Sequence, residues 1–370
     1  MPIHSVQLEN FRNFESLSCS FSPHVNLISG ENAQGKTNLI EALFYFSAQK
    51  SFRAPKDEIL IRRDAPFFRI SETLFNGVRD FTLEVTLERG KKKHLLLNDI
   101  PQRKSSDVIG ILPVVLFTPD DLYLIKAGAS ERRRLLDLPL CQIRPFYYET
   151  LSRYNRTLRM KRALLKEEYN EKNRTLCDAY NADMARSASE IISMRKNFCD
   201  SLTKEAKMLH ESLSGGREEL IIHYKTISKA DPEASPRENE DKIYARLTEL
   251  MHSEFEAETP LSGIHKDDLN ISINDFAAKN YASQGQMRSI ALSLKLAERE
   301  LIEMDTGCQP VLFLDDVLSE LDTGRKNFIL NHIHRGQIFI TCCDPITLSK
   351  ETEGKQFVFH NGKITKECDF

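Results

Sequence analysis

The stretch GENAQGKT at residues 30–37 constrains this chain more than any other. It fits G-x-x-x-x-G-K-[ST] between an apolar run, VNLIS at 25–29, and a segment of helical character at 38–46. A strand, a glycine-rich turn and a helix in that order make a phosphate-binding loop. In such a loop backbone N–H groups wrap the phosphates of a nucleotide, Lys36 reaches the β and γ phosphates, and Thr37 offers its hydroxyl to Mg²⁺. The following helix turns the positive end of its dipole toward the anion. The candidate nucleotide contacts are therefore Gly30, Glu31, Asn32, Ala33, Gln34, Gly35, Lys36, Thr37 and Asn38, with Lys36 the catalytic cation. A bare match also arises by chance in loops, but the strand before and the helix after make that the poorer reading.

With 370 residues the chain is long enough for two domains, or for one nucleotide-binding domain carrying a large insertion. Its net charge is only -3, so attraction to nucleic acid has to come from local patches. The N-terminus MPIHSVQLENFRNFE lacks the basic and apolar regions of a signal peptide, and no apolar run approaches bilayer length. A cytoplasmic protein with no membrane partner is expected. Eight cysteines are scattered without C-x-x-C spacing, which argues against a zinc knuckle and fits a reduced compartment.

Residues 3–117 are strand-rich, with alternation at 81–87 and 94–97 and turn signals at Asn76-Gly77 and Arg89-Gly90. PVVLF at 113–117 suits a buried strand. From Asp120 the character turns helical, and 144–213 holds almost no Gly or Pro while Leu151, Tyr154, Leu158, Ala163 and Leu165 recur at helical spacing. Residues 228–240, SKADPEASPRENE, read as a polar loop or boundary. Beyond them a strand is expected at 269–273, a helix at 284–302, a buried strand at 311–314, a helix at 323–334 and another buried strand at 337–341. The expected organisation is an ATP-binding head of residues 1–118 and 260–370 interrupted by a mainly helical insertion at 119–259. Between residues 126 and 210 there are eighteen Lys/Arg against eleven Asp/Glu, whereas 231–258 is acidic. A solvated helical face explains such a bias as readily as DNA does.

The second half of a nucleotide site follows late in the chain. VLFLDD at 311–316 is an apolar strand delivering two acids, as a Walker B element requires: Asp315 for the Mg²⁺ shell and Asp316 as general base toward the attacking water. Paired acids after a strand also serve as helix caps. Ser283, Gln284, Gly285 and Gln286 stand at the head of a long amphipathic helix, and SELD at 319–322 follows the acids. The pair resembles the signature and D-loop of ATP-binding-cassette proteins; taken singly, each is also a plain cap or polar turn. A Ser and a Gly at a helix N-terminus make a second anion site.

The full order of motifs carries a closer resemblance: LENFRNF at 8–14, GENAQGKTNLIEA at 30–42, PVVLFTPDDL at 113–122, ERRRLLD at 131–137, HKDDL at 265–269, SQGQMRSIALSLKLAE at 283–298 and FLDDVLSELD at 313–322. The chain resembles the RecF family of bacterial recombination mediators, related to the heads of structural-maintenance-of-chromosomes (SMC) proteins but without their long coiled coil. The resemblance implies an α/β P-loop NTPase of the cassette ATPase head type, with a first lobe of mixed β-sheet around a central helix and a helical second lobe. It also implies ATP and Mg²⁺ as cofactors, weak DNA-stimulated hydrolysis, and an ATP-dependent homodimer in which the SQGQ segment of one copy completes the site of the other. The partners implied are DNA at gaps or single-strand to double-strand junctions, RecO and RecR, with RecA loading as the outcome and a nucleoid-associated location. It places Arg12 near the nucleotide phosphates, where a surface position beside a hairpin is the alternative, and Asn32 near the γ phosphate.

Arg132, Arg133 and Arg134 are open to three roles: DNA contact, dimer contact or helix surface. The chain departs from the cassette pattern where a switch His would stand, having Cys342-Cys343-Asp344, with Thr341 or Asp344 as replacement sensors. His332 and His334 upstream read as surface residues. Thr118 and Asp120 occupy the place of a Q-loop Gln, and HKDDL carries Ile264 and Lys266 where Pro and Arg are expected. Two other readings remain at this level, the ATPase subunit of a membrane transporter and an ATP-binding scaffold without turnover.

Overall fold

Four runs that are apolar on both faces build the centre of the fold. In the computed structural model, which describes residues 2–75, 77–332, 335–343 and 353–370, β3 (Val25–Ser29), β8 (Val114–Phe117), β12 (Val311–Asp315) and β13 (Ile338–Cys342) are buried at every position. Such strands belong to the interior of a parallel sheet. They pair in the order β3-β13-β12-β8, all parallel; β14 (Gly354–His360) adds parallel to β3, and β15 (Lys363–Asp369) closes that edge antiparallel. Phe339 of β13 stacks edge-on with Phe21 at 4.8 Å and packs on Phe313 at 5.2 Å. Helix α1 (Lys36–Ala48) is buried around most of its circumference, including Leu39, Ile40, Leu43, Phe44 and Phe46, as a central helix must be.

A second, antiparallel sheet takes β1 (Ile3–Phe11), β2 (Phe14–Ser20), β4 (Phe67–Phe75), β5 (Asp80–Glu88), β6 (His94–Leu97) and β7 (Ile100–Gln102) in the order β2-β1-β4-β5-β6-β7. The β6–β7 turn is Asn98-Asp99, both left-handed, which sets a two-residue hairpin. Gln337, at the entry to β13, ties the sheets together: its amide donates to Ile3 O at 2.7 Å and Ser22 O at 2.8 Å and accepts from Ile3 N at 2.7 Å. Both sheets belong to one unit, residues 1–122 and 294–370.

The other unit, residues 123–293, contains α2 (Ala129–Ile143), α3 (Pro145–Leu164), α4 (Glu171–Ser214), α5 (Pro236–Glu249), α6 (Met251–Glu256) and α7 (Ala278–Tyr281). The 44 residues of α4 make it about 66 Å long. This unit runs past the expected end at 259, because β10 (Asp268–Ile273) pairs with β9 (Leu220–Lys225) and with β11 (Phe276–Ala277) in a three-stranded antiparallel sheet. The expected loop at 228–240 also needs correction. Ser235 accepts from Glu238 N at 3.4 Å and Glu238 accepts from Ser235 N at 3.0 Å, so SPRE is a capping box with Pro at the first turn, and α5 begins inside the segment. Asn76 and His334 lie outside the described residues, and the expected helix at 323–334 is described as α9 (Thr323–His332).

Inside this unit the ERRRLLD and HKDDL motifs meet. Arg132, buried, forks onto Asp268 at 2.6 and 2.9 Å, and Arg133 donates to Asp267 O at 2.6 Å. Asp137 takes two bonds from the buried Arg195 at 2.8 and 2.9 Å, and Arg195 also reaches Ile264 O at 3.0 Å. Of the three roles open to these arginines, Arg132 therefore fills none; it is an internal ion-pair partner, while Arg134 stays at the surface 3.9 Å from Glu131. His265 joins the network through Nδ1, 2.9 Å from Tyr154 Oη, and its Nε2 has no partner among the described residues.

Burial, and then the charges of Arg162, Lys266, Arg133 and Lys161, lower the His265 pKa from 6.5 to about 3. An unfolded chain takes up this proton below pH 6.5 and the folded chain does not, so the group subtracts stability as pH falls through that window. His265→Gln should lose less stability than wild type between pH 7.5 and 5.5, by up to about 1.4 kcal/mol. Urea unfolding at the two pH values measures this, and parallel acid limbs for the two proteins would refute it.

Candidate nucleotide-binding site

Three strand ends converge on one place: β3 leads into the GENAQGKT loop, β12 ends in Asp315 with Asp316 just beyond, and β13 between them carries Thr341 and leads into Cys343. The loop is shaped by close approach. Gly30 has φ 148° and a Cβ there would lie 2.5 Å from Phe359 O, while Gly35 has φ 107° and a Cβ would lie 2.7 Å from Asn13 Nδ2. Neither position admits a side chain. Ala33 is also left-handed, and Glu31, Asn32 and Ala33 are exposed. Lys36 folds back over the loop, donating to Gly30 O at 2.5 Å and Glu31 O at 2.9 Å. Gln34 faces the β14–β15 hairpin instead: its side chain accepts from Asn361 N, and its carbonyl accepts from Gly362 N at 3.2 Å.

Asp315 is 4% exposed and receives two hydroxyl bonds on one oxygen, from Thr37 at 3.0 Å and Thr341 at 2.8 Å. Burial holds its carboxyl above the usual carboxylate range, against the opposing pull of Thr341, Thr37 and Arg53. A hydroxyl and a carboxylate so joined are the hard oxygen donors that Mg²⁺ takes from a protein when phosphates and water supply the rest. The residues present fit the ion. Asp316 adopts a left-handed backbone, φ 54°, pinned by its N–H to Thr341 Oγ1 at 2.8 Å, and its Oδ1 is buried with no hydrogen-bond partner among the described residues. An acceptor held in this way is free to receive a proton.

Arg12 is tied to the helix that follows the loop. Its guanidinium forks onto Glu41 of α1 at 2.7 and 2.8 Å, and Glu41, fully buried, also accepts from Ser51. Next to it Asn38 Nδ2 donates to Asn13 Oδ1 at 2.8 Å and Arg53 Nη1 donates to Asn38 Oδ1 at 3.2 Å. Arg53 is an exposed cation beside the loop helix, close enough to act on Asp315. Sequence reasoning missed it, because a lone Arg in a polar turn carries no pattern.

Ser283 heads α8 (Gln284–Thr306) in an S-x-x-Q box: Gln286 N donates to Ser283 Oγ at 3.2 Å, and Ser283 N donates to Gln286 Oε1 at 2.8 Å. Gln286 also donates to Glu218 at 3.0 Å, so its side chain is committed within its own unit, whereas Ser283 and Gln284 are exposed and Gly285 is half-buried. In SELD, Ser319 Oγ donates to Asp316 O at 2.6 Å and Asp322 accepts from Arg325 N at 3.0 Å, capping α9.

At the switch position, Thr341 is buried and bonds both acids, and Asp344 lies outside the described residues. Cys343, which the sequence did not mark, is exposed; it donates to Asn32 Oδ1 at 3.0 Å and its sulfur accepts from Lys36 Nζ at 3.4 Å. Thr118, in the Q-loop place, bonds Asp121 through N at 2.8 Å and Oγ1 at 3.0 Å. His332 is exposed and contacts Phe328 O at 2.8 Å.

The family model of the RecF/RecN/SMC N terminal domain matches residues 2–366. The chain is 38% identical over 345 residues to the DNA replication and repair protein RecF of Acetivibrio thermocellus, covering 93% of this chain and 94% of that one. It is 37% identical over 371 residues to the protein of the same name from Lysinibacillus sphaericus, covering 99% and 100%. A solved structure described as the recombination mediator protein RecF-ATP in the RecFOR pathway matches with a TM-score of 0.88 at 31% identity over 99% of each chain. An SMC head bound to the C-winged helix domain of ScpA matches with a TM-score of 0.56 at 14% identity, a likeness of fold alone.

Cys343 touches Lys36 and Asn32 of the loop, so its accessibility should report on nucleotide binding there. Iodoacetamide should modify Cys343 in the nucleotide-free protein, and Mg²⁺–ATP should slow this several-fold while leaving the exposed Cys308 unaffected. Peptide mass spectrometry reads both sites; equal rates at Cys343 with and without nucleotide would dissociate the thiol from the site.

Proposed function

The chain belongs to the RecF family of DNA replication and repair proteins, and from that membership we propose that it is an ATP-driven DNA clamp that closes as a homodimer and reopens by slow hydrolysis. Membership sets the transporter reading aside. The observation that carries the proposal is the joint hold of Thr37 and Thr341 on Asp315, beside a loop lysine parked on two backbone carbonyls and an Asp316 oxygen without a partner. A scaffold that never hydrolyses ATP has no use for that oxygen.

In this reading Lys36 exchanges the Gly30 and Glu31 carbonyls for phosphate oxygens, a gain because a charge-assisted bond to an anion is the stronger one. Bound Mg²⁺–ATP supplies the phosphate charge and the bond to be cleaved. Thr37 and Asp315 hold the metal, Asp316 accepts the proton of the attacking water, and Arg53 adds positive charge at the same edge. Arg12 acts through Glu41 as a positioning residue for α1. Ser283, Gln284 and Gly285 of a second copy, at the N-terminus of α8, close the site with a hydroxyl and the positive end of the helix dipole. Nucleotide bound only in the associated state shifts the population toward the dimer. The partners in this reading are DNA with gaps or single-strand to double-strand junctions together with RecO and RecR, the outcome is RecA loading, and the setting is the cytoplasm at the nucleoid.

Light scattering with and without ATP tests the cycle. Lys36→Ala should remain monomeric in ATP. Asp316→Asn should form a dimer that persists, with turnover lowered by about 10²-fold or more; a variant that stays monomeric would remove Asp316 from the hydrolytic step. Ser283→Arg should bind nucleotide and fail to dimerise, and normal dimerisation of that variant would overturn the exchange of signature segments. Wild type should bind gapped duplex DNA better with ATP than without, and better than blunt duplex. Equal binding in all conditions counts against the clamp.

A further inference from the structure

Helix α3 separates two kinds of side chain. Tyr154, Thr157, Leu158, Lys161 and Leu164 are buried. Arg156, Arg159 and Arg162 recur every third residue on the opposite side and are exposed, with Lys166 one turn further. Spacing of three residues places the three arginines on one helical face, and Lys166 lies in the turn just past the helix end. Their side chains make no hydrogen bond or ion pair with any described residue, while Arg153 on the same helix is neutralised by Asp183. No Asp or Glu occurs between Glu149 and Glu167 to offset them. Glu167 and Glu258 join Arg162 and Lys166 only at the far end, in a shallow groove that also includes Thr259. The field of this row reaches inward, since Arg162 is the leading charge that disfavours protonation of His265, after burial.

We propose that the Arg156–Arg159–Arg162 face of α3 is the surface that grips the phosphate backbone of DNA, an assignment that rests on the DNA binding proposed above. Six residues of helix rise about 9 Å. One strand of duplex presents about three phosphates over that length, at roughly 3.4 Å of axial rise each. Three free guanidiniums match three phosphates, and each can fork onto two oxygens. Contacts of this kind fix position on the duplex and read no sequence, which suits a protein that recognises a DNA shape. The basic excess of residues 126–210 thereby resolves into two parts: Arg132 and Arg195 are spent on internal carboxylates, and the α3 row is not.

Fluorescence anisotropy with a fluorescein-labelled duplex carrying a single-stranded gap, in ATP and across a salt series, tests the surface. The triple variant Arg156→Gln, Arg159→Gln, Arg162→Gln should bind at least about tenfold more weakly at low salt and lower the slope of log K against log salt by about 2–3, near 0.9 per lost phosphate contact. The corresponding triple Arg→Lys variant should keep most of the slope, and Lys363→Gln with Lys366→Gln, which removes exposed charge from β15, should leave it unchanged. The triple Gln variant should still dimerise in ATP by light scattering. If wild type shows no ATP-dependent DNA binding, the clamp reading itself fails. If wild type binds and the triple Gln variant matches it in affinity and slope, the surface is wrong and the clamp stands. Loss of ATP-dependent dimerisation in the triple Gln variant would overturn the assignment by making the row part of assembly.

Discussion

One buried carboxylate organises the nucleotide-binding unit. Asp315 sits at the end of a strand with no exposed residue, and an ionised acid there is costly unless something meets it. Two hydroxyls do, one from each neighbouring element: Thr37 from the first turn of α1 and Thr341 from the end of β13. The same Thr341 oxygen accepts from Asp316 N and so fixes the left-handed turn that carries the second acid. The loop, the acids and the end of β13 are thus joined through a single carboxyl group. Burial, with a smaller push from Asp316, raises its proton affinity, and a divalent cation at the same oxygens would offset that cost.

Much of this was legible in advance because it rests on strong local patterns. VNLIS, PVVLF and VLFLD could only be buried strands, and the order of loop, signature and acids fixed the head architecture. What stayed hidden required knowledge of partners distant in sequence. Arg12 finds Glu41 across 29 positions, and Arg132 finds Asp268 across 136, so neither pairing leaves a periodic trace. The end of the insertion was misjudged for the same reason: a strand at 268–273 looks alike wherever it pairs, and only the register with β9 assigns it to the second unit. The 228–240 segment is different. Its S-P-x-E signal was present in the sequence and was outweighed by polar composition, a case of local capping chemistry prevailing over a hydropathy argument.

The second unit uses charge in two opposed ways. Arg132, Arg133 and Arg195 are drawn inward onto Asp268, the Asp267 carbonyl and Asp137, where removal of one member would leave a buried charge uncompensated. Lys161, fully buried, meets Glu254 at 2.6 Å and Asn181 at 2.6 Å under the same constraint. On the other face of the same helix, Arg156, Arg159 and Arg162 make no ion pair with a carboxylate among the described residues. Internal ions specify how α2, α3, α4 and β10 pack, while the outward ones leave net positive potential on the solvent face. Composition cannot separate these populations, since both count equally toward the basic excess.

The missing switch histidine is the point where the chain departs furthest from the cassette pattern, and the geometry indicates how its work divides. A histidine there combines a polar contact to the γ phosphate with a link to the acid that drives hydrolysis. Here Thr341, buried, links the two acids, donating to Asp315 and accepting from Asp316 N. Cys343, exposed, contacts Lys36 and Asn32 of the loop. The two lie two residues apart at the end of β13, so a displacement of the lysine reaches the acids by two routes, through Thr37 beside it and through the backbone that joins Cys343 to Thr341. A thiol is also a weaker donor than an imidazolium and carries no fixed charge. In the clamp proposed above, a γ-phosphate contact of this weaker kind accords with slow hydrolysis and a long closed state.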